Sequence, residues 1–202
     1  MIKQIVSLTK IFDMNRFLAL IIIFFAINFS AFSQENSTKY INRKSVGGMT
    51  AFGLTYYSLP ENVTYRPILL QAFWHKPLYQ TKNFFNVSVE VLPQINFIFL
   101  DSKPEFECGV NVFFDFGFQL SKKSILSVII GSGPHFITVE TTKQSNGFLF
   151  SDNFLMSFKR NVSENLEIGV FSGYRHMSNA SIKQPNNGID NILFGISVAK
   201  LL

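Results

Sequence analysis

The sequence predicts an all-β protein, an eight-stranded antiparallel β-barrel that spans a membrane. Three observations lead to this prediction. After residue 44, apolar side chains recur at every second position in successive segments, which is the period of a β-strand. The chain is 47% hydrophobic and contains 24 Phe residues, yet only 15% of its residues are charged, against about 25% in an ordinary soluble domain. Short polar turns alternate with longer loops, as they do in outer-membrane barrels.

The clearest strand covers residues 106–120. One of its faces is apolar and consists of Cys108, Val110, Val112, Phe114, Phe116, Phe118 and Leu120. The other face holds small and polar residues together with one aromatic residue: Gly109, Asn111, Phe113, Asp115, Gly117 and Gln119. This alternation predicts a strand with one side in an apolar environment.

The same pattern places the eight strands near 45–58, 65–78, 83–98, 106–120, 123–134, 147–159, 166–178 and 189–201. The connections at 79–82, 121–122 and 161–165 are short, whereas those at 59–64, 100–105, 135–146 and 179–188 are longer. An even number of strands places both chain ends at the periplasmic rim. Because the interior of an eight-stranded barrel is filled by side chains, we do not expect a transport function.

A soluble lipocalin-like barrel or a β-sandwich is the alternative fold, with its apolar face turned inward. Such a fold would serve as a periplasmic lipid-binding barrel. The low charged fraction and the Phe-rich apolar face favour the membrane barrel, because few charged residues are present to cover a water-exposed exterior.

The N-terminal segment predicts a secretory signal peptide over residues 1–33. Basic residues precede an unbroken apolar run at 17–27, which is too short to span a bilayer as a helix, and Ala31-Phe32-Ser33 supplies a cleavage site. Residues 34–202 then form the outer-membrane β-barrel domain. The start of translation, Met1 or Met14, stays open. Removal of three basic residues and one acid lowers the formal charge from +5 to +3, which is too weak to indicate nucleic-acid binding.

Cysteine and histidine usage bounds the chemistry. Cys108 is the only cysteine, which excludes an intramolecular disulfide, and its position predicts an apolar wall residue. The three histidines, His75, His135 and His176, are far apart in sequence, and no metal-ligand spacing is present. We therefore expect neither a metal nor an organic cofactor.

The segment from Tyr174 to Asp190 carries the candidate chemistry. His176 and Ser178 are two residues apart at the end of a predicted strand, so their side chains share a face. Asp190 follows a loop that contains Pro and Gly. A base, a nucleophile and an orienting acid are the parts of a serine hydrolase. All three side chains have the parity of the apolar faces, which predicts a site on the lipid-facing wall.

Two motifs in this segment resemble the PagL-type lipid A 3-O-deacylase family. The motifs are His176-Met177-Ser178-Asn179-Ala180 and Pro185-Asn186-Asn187-Gly188-Ile189-Asp190. The resemblance is close over residues 171–196 and loose over most of the mature chain. Members of this family are eight-stranded outer-membrane barrels that hydrolyse an ester-linked acyl chain of lipopolysaccharide. The acid of the family pattern is Glu, where this chain has Asp190.

The resemblance implies a role for each residue of the motif. Ser178 would be the nucleophile, His176 the general base and then the general acid, and Asp190 the group that orients the imidazole. Asn179 would contribute to the oxyanion hole. The substrate would be lipid A of lipopolysaccharide and the location the cell outer membrane. The acyl position, the chain length and the oligomeric state, monomer or homodimer, stay open.

Other interpretations of these residues are structural. His176 and Asp190 would also suit a hydrogen-bonded pair at a strand end in a non-catalytic outer-membrane barrel, structural or lipid-binding. Arg175 and Lys183 would suit contacts to lipid phosphates or a role as solvated loop charges, and we favour the second interpretation. The sole tryptophan, Trp74, fits an aromatic belt at a membrane interface.

Overall fold

The computed structural model describes residues 42–55, 65–81, 84–100 and 104–202. The predicted signal peptide, both candidate start sites, the whole predicted loop at 59–64 and the end of the first predicted strand, 56–58, lie outside the described residues. No helix in the described part of the chain is long and apolar enough to cross a membrane.

The described residues form a closed antiparallel barrel of β-strands. The strands are β1 (Ser45–Thr55), β2 (Arg66–Gln80), β3 (Phe85–Phe99), β4 (Pro104–Gln119), β5 (Ser124–Ser132), β6 (Pro134–Ile137), β7 (Gly147–Asn161), β8 (Leu166–Ser178) and β9 (Ile189–Leu201). Apart from β5 and β6, each strand pairs with its neighbours in sequence, and β1 pairs with β9 to close the wall. Because β5 and β6 both lie between β4 and β7, they occupy one position, and the wall has eight strands. The predicted fold class is confirmed.

The fifth strand differs from its predicted form. The sequence predicted one strand over 123–134 followed by a loop from 135, but the structure interrupts the strand at Gly133 and continues it to Ile137. A Cβ atom at Gly133 would lie 1.8 Å from the carbonyl oxygen of Val110, so the backbone approaches too closely for any side chain. Pro134 follows and cannot donate a ladder hydrogen bond. His135 consequently belongs to β6 and not to a loop.

The apolar faces of the strands point outward. Exposed large apolar residues include Phe52, Leu54, Ile68, Leu70, Val112, Phe114, Phe136, Phe148, Phe154, Met156, Val170, Phe194, Ile196 and Val198. Cys108 lies on this outer face as predicted, between Phe106 and Val110. The soluble alternative, which needed this face inside, is therefore wrong.

The barrel interior is filled by two apolar clusters and by polar networks. One apolar cluster consists of Met49, Ala51, Leu69, Phe73, Leu92, Phe113, Ile129, Leu155, Phe171, Leu193 and Ala199. The other lies towards the end with the longer loops and consists of Tyr65, Ile98, Ile137, Val139, Leu149, Met177 and Ile189. The buried charged residues are hydrogen-bonded in the interior, as burial of a charge requires.

Candidate active site

The candidate site lies on the outer wall near the end with the longer loops. In the register of the sheet, Asp152 of β7 is opposite His176 of β8, and His176 is opposite Asp190 of β9. All three side chains point outward, so a row of two carboxylates and one imidazole crosses three adjacent strands. Directly opposite residues in an antiparallel sheet have Cβ atoms about 5 Å apart, which is within reach of side-chain contact.

His176 and Asp190 form the central contact of the site. Nδ1 of His176 lies 2.7 Å from Oδ1 of Asp190, and the two side chains are 34% and 21% exposed. An ionised carboxylate only accepts, so Nδ1 carries the hydrogen of this bond, and in the neutral ring Nε2 is left as the proton acceptor. The hydroxyl of Tyr174 donates to the same carboxylate oxygen. Asp190, although one methylene shorter than Glu, reaches the imidazole.

Ser178 is the last residue of β8 and shares the outward face with His176. Its side chain is half-buried, and within the described residues its Oγ makes no hydrogen bond to His176. Hydrogen bonds between catalytic groups are often long in structures without substrate and shorten on binding. The role of Ser178 stays a prediction.

The loop after β8 is held by hydrogen bonds to the loop between β6 and β7. Ser145 N–H donates to the carbonyl of Pro185, and Asn187 N–H donates to the carbonyl of Lys143. Gly188 N–H donates to Oε1 of Gln144, at 2.9 Å. Two residues at the start of this loop, Ala180 and Ser181, have left-handed φ angles of 52° and 65°. The loop therefore has a defined shape beside Ser178.

Asn179, the predicted oxyanion donor, is buried and committed to this loop. Its amide Nδ2 donates to Oγ of Ser145 and to the carbonyl of Lys183, at 2.9 and 2.7 Å. Its backbone N–H donates to Oδ1 of Asn186, at 2.8 Å. In this structure all its donors are used within the two loops, and its oxyanion role stays a prediction.

Asn186 also belongs to the site, although the sequence predicted no role for it and only placed it in the second motif. Its Oδ1 lies 2.8 Å from the backbone nitrogen that follows Ser178, which fixes the orientation of its amide. Its Nδ2 makes no hydrogen bond within the described residues. Asn186 thus offers a free donor next to the predicted nucleophile.

A buried charge network lies behind the site. Arg175, between Tyr174 and His176, points into the barrel and is fully buried. Its guanidinium forms an ion pair with Glu107, and its Nε donates to Oγ of Ser151 at 2.9 Å. His135 Nδ1 lies 2.5 Å from the same Glu107 oxygen. The interpretation of Arg175 as a solvated loop charge is wrong, because its parity in β8 is the inward one. Lys183 is exposed in the loop, where its Nζ donates to Asn146.

A second interior cluster contains His75, Glu90 and Asp115, whose potential ligand atoms lie within 4.8 Å of one another. Lys159 Nζ lies 2.9 Å from Glu90 and 2.5 Å from Asp115. The lysine ammonium therefore already supplies the positive charge between these carboxylates, and the cluster is an internal ion-pair network.

An open apolar groove of about 640 Å³ adjoins the row of charged residues on the outer wall. Its apolar lining consists of Val112, Phe114, Phe116, Ile130, Phe154 and Tyr174. Its polar edge includes Asp152, whose Oδ1 accepts a hydrogen bond from Ser132 Oγ at 2.5 Å. The groove leads from the site along the lipid-facing surface.

Comparisons with known proteins give a consistent result. The sequence model of the family described as lipid A 3-O-deacylase (PagL) matches residues 63–199, a range that contains the whole candidate site. The chain is similar to the crystal structure of the outer membrane enzyme PagL, with a TM-score of 0.60 and 18% identity over 75% of this chain and 97% of that one.

Two further solved structures are less similar. The outer membrane protein OprG from Pseudomonas aeruginosa has a TM-score of 0.45 and 7% identity over 81% of this chain and 97% of that one. Neisserial surface protein A has a TM-score of 0.43 and 13% identity over 79% of this chain and 97% of that one. No curated protein sequence matches the chain. Because the PagL family model covers more than half of its residues, the chain belongs to the PagL family and is an outer-membrane β-barrel protein.

Proposed function

We propose that the protein is a serine esterase that removes an ester-linked acyl chain from lipid A of lipopolysaccharide. One observation carries this proposal: the His176–Asp190 hydrogen bond of 2.7 Å on the lipid-facing wall, with Ser178 on the same face of β8. An imidazole and a carboxylate that face lipid cost folding free energy, so their presence there indicates a functional site. Family membership supports the substrate class.

The proposed reaction needs only groups of this chain. Ser178 Oγ attacks the ester carbonyl carbon while its proton passes to Nε2 of His176, and Asp190 stabilises the resulting imidazolium. The tetrahedral intermediate then collapses, and the imidazolium returns the proton to the departing sugar oxygen. Water repeats the sequence on the acyl-serine, releasing the fatty acid and restoring Ser178.

The negative charge on the former carbonyl oxygen needs a donor. Asn179 is the predicted donor, but its own hydrogens are engaged in the loop. Asn186 Nδ2 makes no hydrogen bond within the described residues, and its Oδ1 accepts from the backbone N–H that follows Ser178. We therefore assign Asn186 as the donor that Asn179 holds in place. Loss of one oxyanion donor costs about 100- to 1,000-fold in kcat in serine hydrolases.

Substrate access follows from the outward position of the site. The lipid A acyl chain lies beside the barrel wall and reaches Ser178 without leaving the bilayer. The groove lined by Phe114, Phe116 and Phe154 offers it an apolar surface next to Tyr174.

The proposal is tested by mass spectrometry of lipid A from cells that express the wild type or Ser178→Ala. Removal of the nucleophile of a serine hydrolase lowers kcat by about six orders of magnitude, so lipid A should stay fully acylated in the variant. Ser172→Ala is the matched control, because Ser172 lies on the same strand and has the same outward parity. It should remove one acyl chain like the wild type.

The non-catalytic alternative makes a different prediction. Heat-modifiable migration on gels verifies that the wild type and Ser178→Ala are both folded. If lipid A then stays fully acylated with the wild type as it does with the variant, the barrel is not a deacylase.

A further inference from the structure

Three lysines form a basic cluster on the outer wall at the rim opposite the candidate active site. Ser45 pairs with His75, so Lys44 and Lys76, each one residue nearer the rim, are adjacent across β1 and β2. Val46 pairs with Lys200 of β9 on its other side. All three lysine side chains are exposed and share the outward parity of Val46, Trp74 and Val198. We call this set, with Trp74, the rim lysine site.

The rim lysine site has no ion-pair partner in the described part of the protein. None of its three ammonium groups makes an ion pair or hydrogen bond there. Strands β1, β2 and β9 carry one acidic residue between them, Asp190, which lies at the far end of β9 from Lys200. Adjacent like charges on paired strands are destabilising, so this arrangement favours an external anion.

The position of the site identifies the kind of anion. The rim is the one that carries the short turns and the C-terminal end of β9, which is the periplasmic rim of an outer-membrane barrel. Immediately above the lysines the outer wall is apolar, with Val46 and Trp74 about 40% exposed. Tryptophan at such a boundary lies at the level of lipid headgroups, and lysines beside it reach the phosphate layer.

We propose that the rim lysine site binds the anionic headgroup of a phospholipid in the periplasmic leaflet. Lys44, Lys76 and Lys200 surround the phosphate, and Trp74 packs against the upper part of the acyl chains. This lipid site is separate from the candidate active site in both position and leaflet, and it does not depend on the proposed deacylase activity.

The chain provides its own reporter, because Trp74 is the only tryptophan. The full mature chain is reconstituted into phosphatidylcholine vesicles that contain a minor fraction of phosphatidylglycerol, and tryptophan fluorescence is recorded. In one arm the phosphatidylglycerol is brominated near the top of its chains; in the other arm the same fraction of the phosphatidylcholine is brominated. Preferential quenching by the anionic lipid measures its enrichment next to Trp74. We expect an enrichment of about fivefold, the effect of roughly one effective lysine–headgroup contact.

A matched pair of double variants separates the site from general electrostatics. Lys76→Gln/Lys200→Gln should abolish the enrichment. Lys122→Gln/Lys123→Gln removes the same number of charges from the turn between β4 and β5, on the other side of the barrel. This variant should retain the enrichment of anionic lipid next to Trp74. Heat-modifiable gel migration establishes that each variant is folded.

Three results would overturn the proposal. Equal quenching by both brominated lipids in the wild type would mean that the lysines are only hydrated. Equal loss in both double variants would indicate a non-specific charge effect. Loss of the enrichment with inorganic phosphate, but not with sodium chloride of the same ionic strength, would show a phosphate site that does not select a lipid.

Discussion

At the scale of single residues, the carboxylate of Asp190 determines the geometry of the candidate site. One of its oxygens accepts from both His176 Nδ1 and the Tyr174 hydroxyl. The phenol hydrogen bond fixes the carboxylate, and the carboxylate fixes the imidazole. Nε2 is thereby left available on the side that Ser178 shares.

Replacement of Asp190 tests whether its charge or only its shape is needed. Asp190→Asn preserves shape but no longer stabilises an imidazolium, and in serine hydrolases this change lowers kcat by about 10⁴. We expect a similar loss, measured with purified lipid A as substrate. Asp190→Glu retains the charge and should keep most of the activity. Equal activity of the Asn and Glu variants would exclude the orienting role.

Gly188 sets the position of the imidazole from the loop side. Its φ angle is +79°, and a Cβ atom there would lie 2.5 Å from Cε1 of His176. Gly188→Ala should therefore displace the ring and reduce kcat strongly. Gly147→Ala is the matched control, because Gly147 also has a positive φ, +102°, but has no atom within 4 Å of the added methyl group.

Both glycine variants should lose about 1–3 kcal/mol of folding free energy from backbone strain, measured by urea unfolding. Only Gly188→Ala should lose activity. If both variants lose activity equally, the effect comes from the backbone and not from contact with His176.

At the scale of elements, β8 serves the barrel interior and the outer surface at once. Tyr174, His176 and Ser178 point outward, whereas Arg175 and Met177 are fully buried. Two adjacent residues of one strand thus belong to different environments. The ion pair between Arg175 and Glu107 connects β8 to β4 across the interior.

Arg175→Met should destabilise the barrel, because it removes the guanidinium that pairs with the buried Glu107 carboxylate. Breaking a buried ion pair in this way costs about 3–5 kcal/mol of unfolding free energy. Urea titration of the folded barrel in lipid measures it. Arg66→Met, at an exposed position of β2, should change the value by less than about 0.5 kcal/mol.

A second variant checks the cause of this loss. Arg175→Met combined with Glu107→Leu removes both charges, and replacement of a whole buried pair by apolar residues is often neutral. The double variant should recover much of the stability. Additive losses from the two substitutions would mean that the pair is not the source of the effect.

At the scale of the whole molecule, the lipid around the barrel determines which face of each strand is outside. The outer wall is apolar at mid-height and basic at the rim lysine site, whereas the interior contains ion pairs that join Lys159 to Glu90 and Asp115, and Arg175 to Glu107. This is the reverse of a soluble protein, in which the apolar face would be buried.

The loss of folding free energy caused by a charged substitution on the outer wall should therefore depend on how deep in the bilayer the substituted residue lies. Phe114→Arg, in the middle of β4, should lower the folding free energy in bilayers by about 2–4 kcal/mol, and Tyr79→Arg, near the periplasmic end of β2, by about 0–1 kcal/mol. Equal costs at the two positions would contradict the placement of the barrel in the membrane.

Sequence reasoning predicted the strands well because their signal is local. Alternation in Val110, Val112 and Phe114 requires only that neighbouring side chains alternate between faces. The continuation of the strand beyond Gly133 to Ile137 was missed, because a Gly-Pro sequence indicates a turn or loop. His135 was placed in a loop for the same reason.

The candidate site was predictable to the level of residue types. The motifs pointed to His176, Ser178 and Asp190, and strand parity placed them on the outer face. The contributions of Asn186, Gly188 and Tyr174 could not be derived, because each depends on a hydrogen bond or contact set by the register of β8 and β9 and by the shape of the loop between them.

The sequence by itself determined that this protein consists of strands with one apolar face, because alternate residues of a strand point to opposite sides. The low charged fraction favoured a membrane barrel, and the tertiary structure decided that the apolar face is the outer one. Only the tertiary structure decided which charged residues meet. Arg175 and Glu107, or Lys159 and Asp115, are far apart in the chain and become partners through strand register and barrel closure. The same register joins His176 to Asp190, because ionic and hydrogen-bonded contacts depend on distances that a linear pattern does not contain.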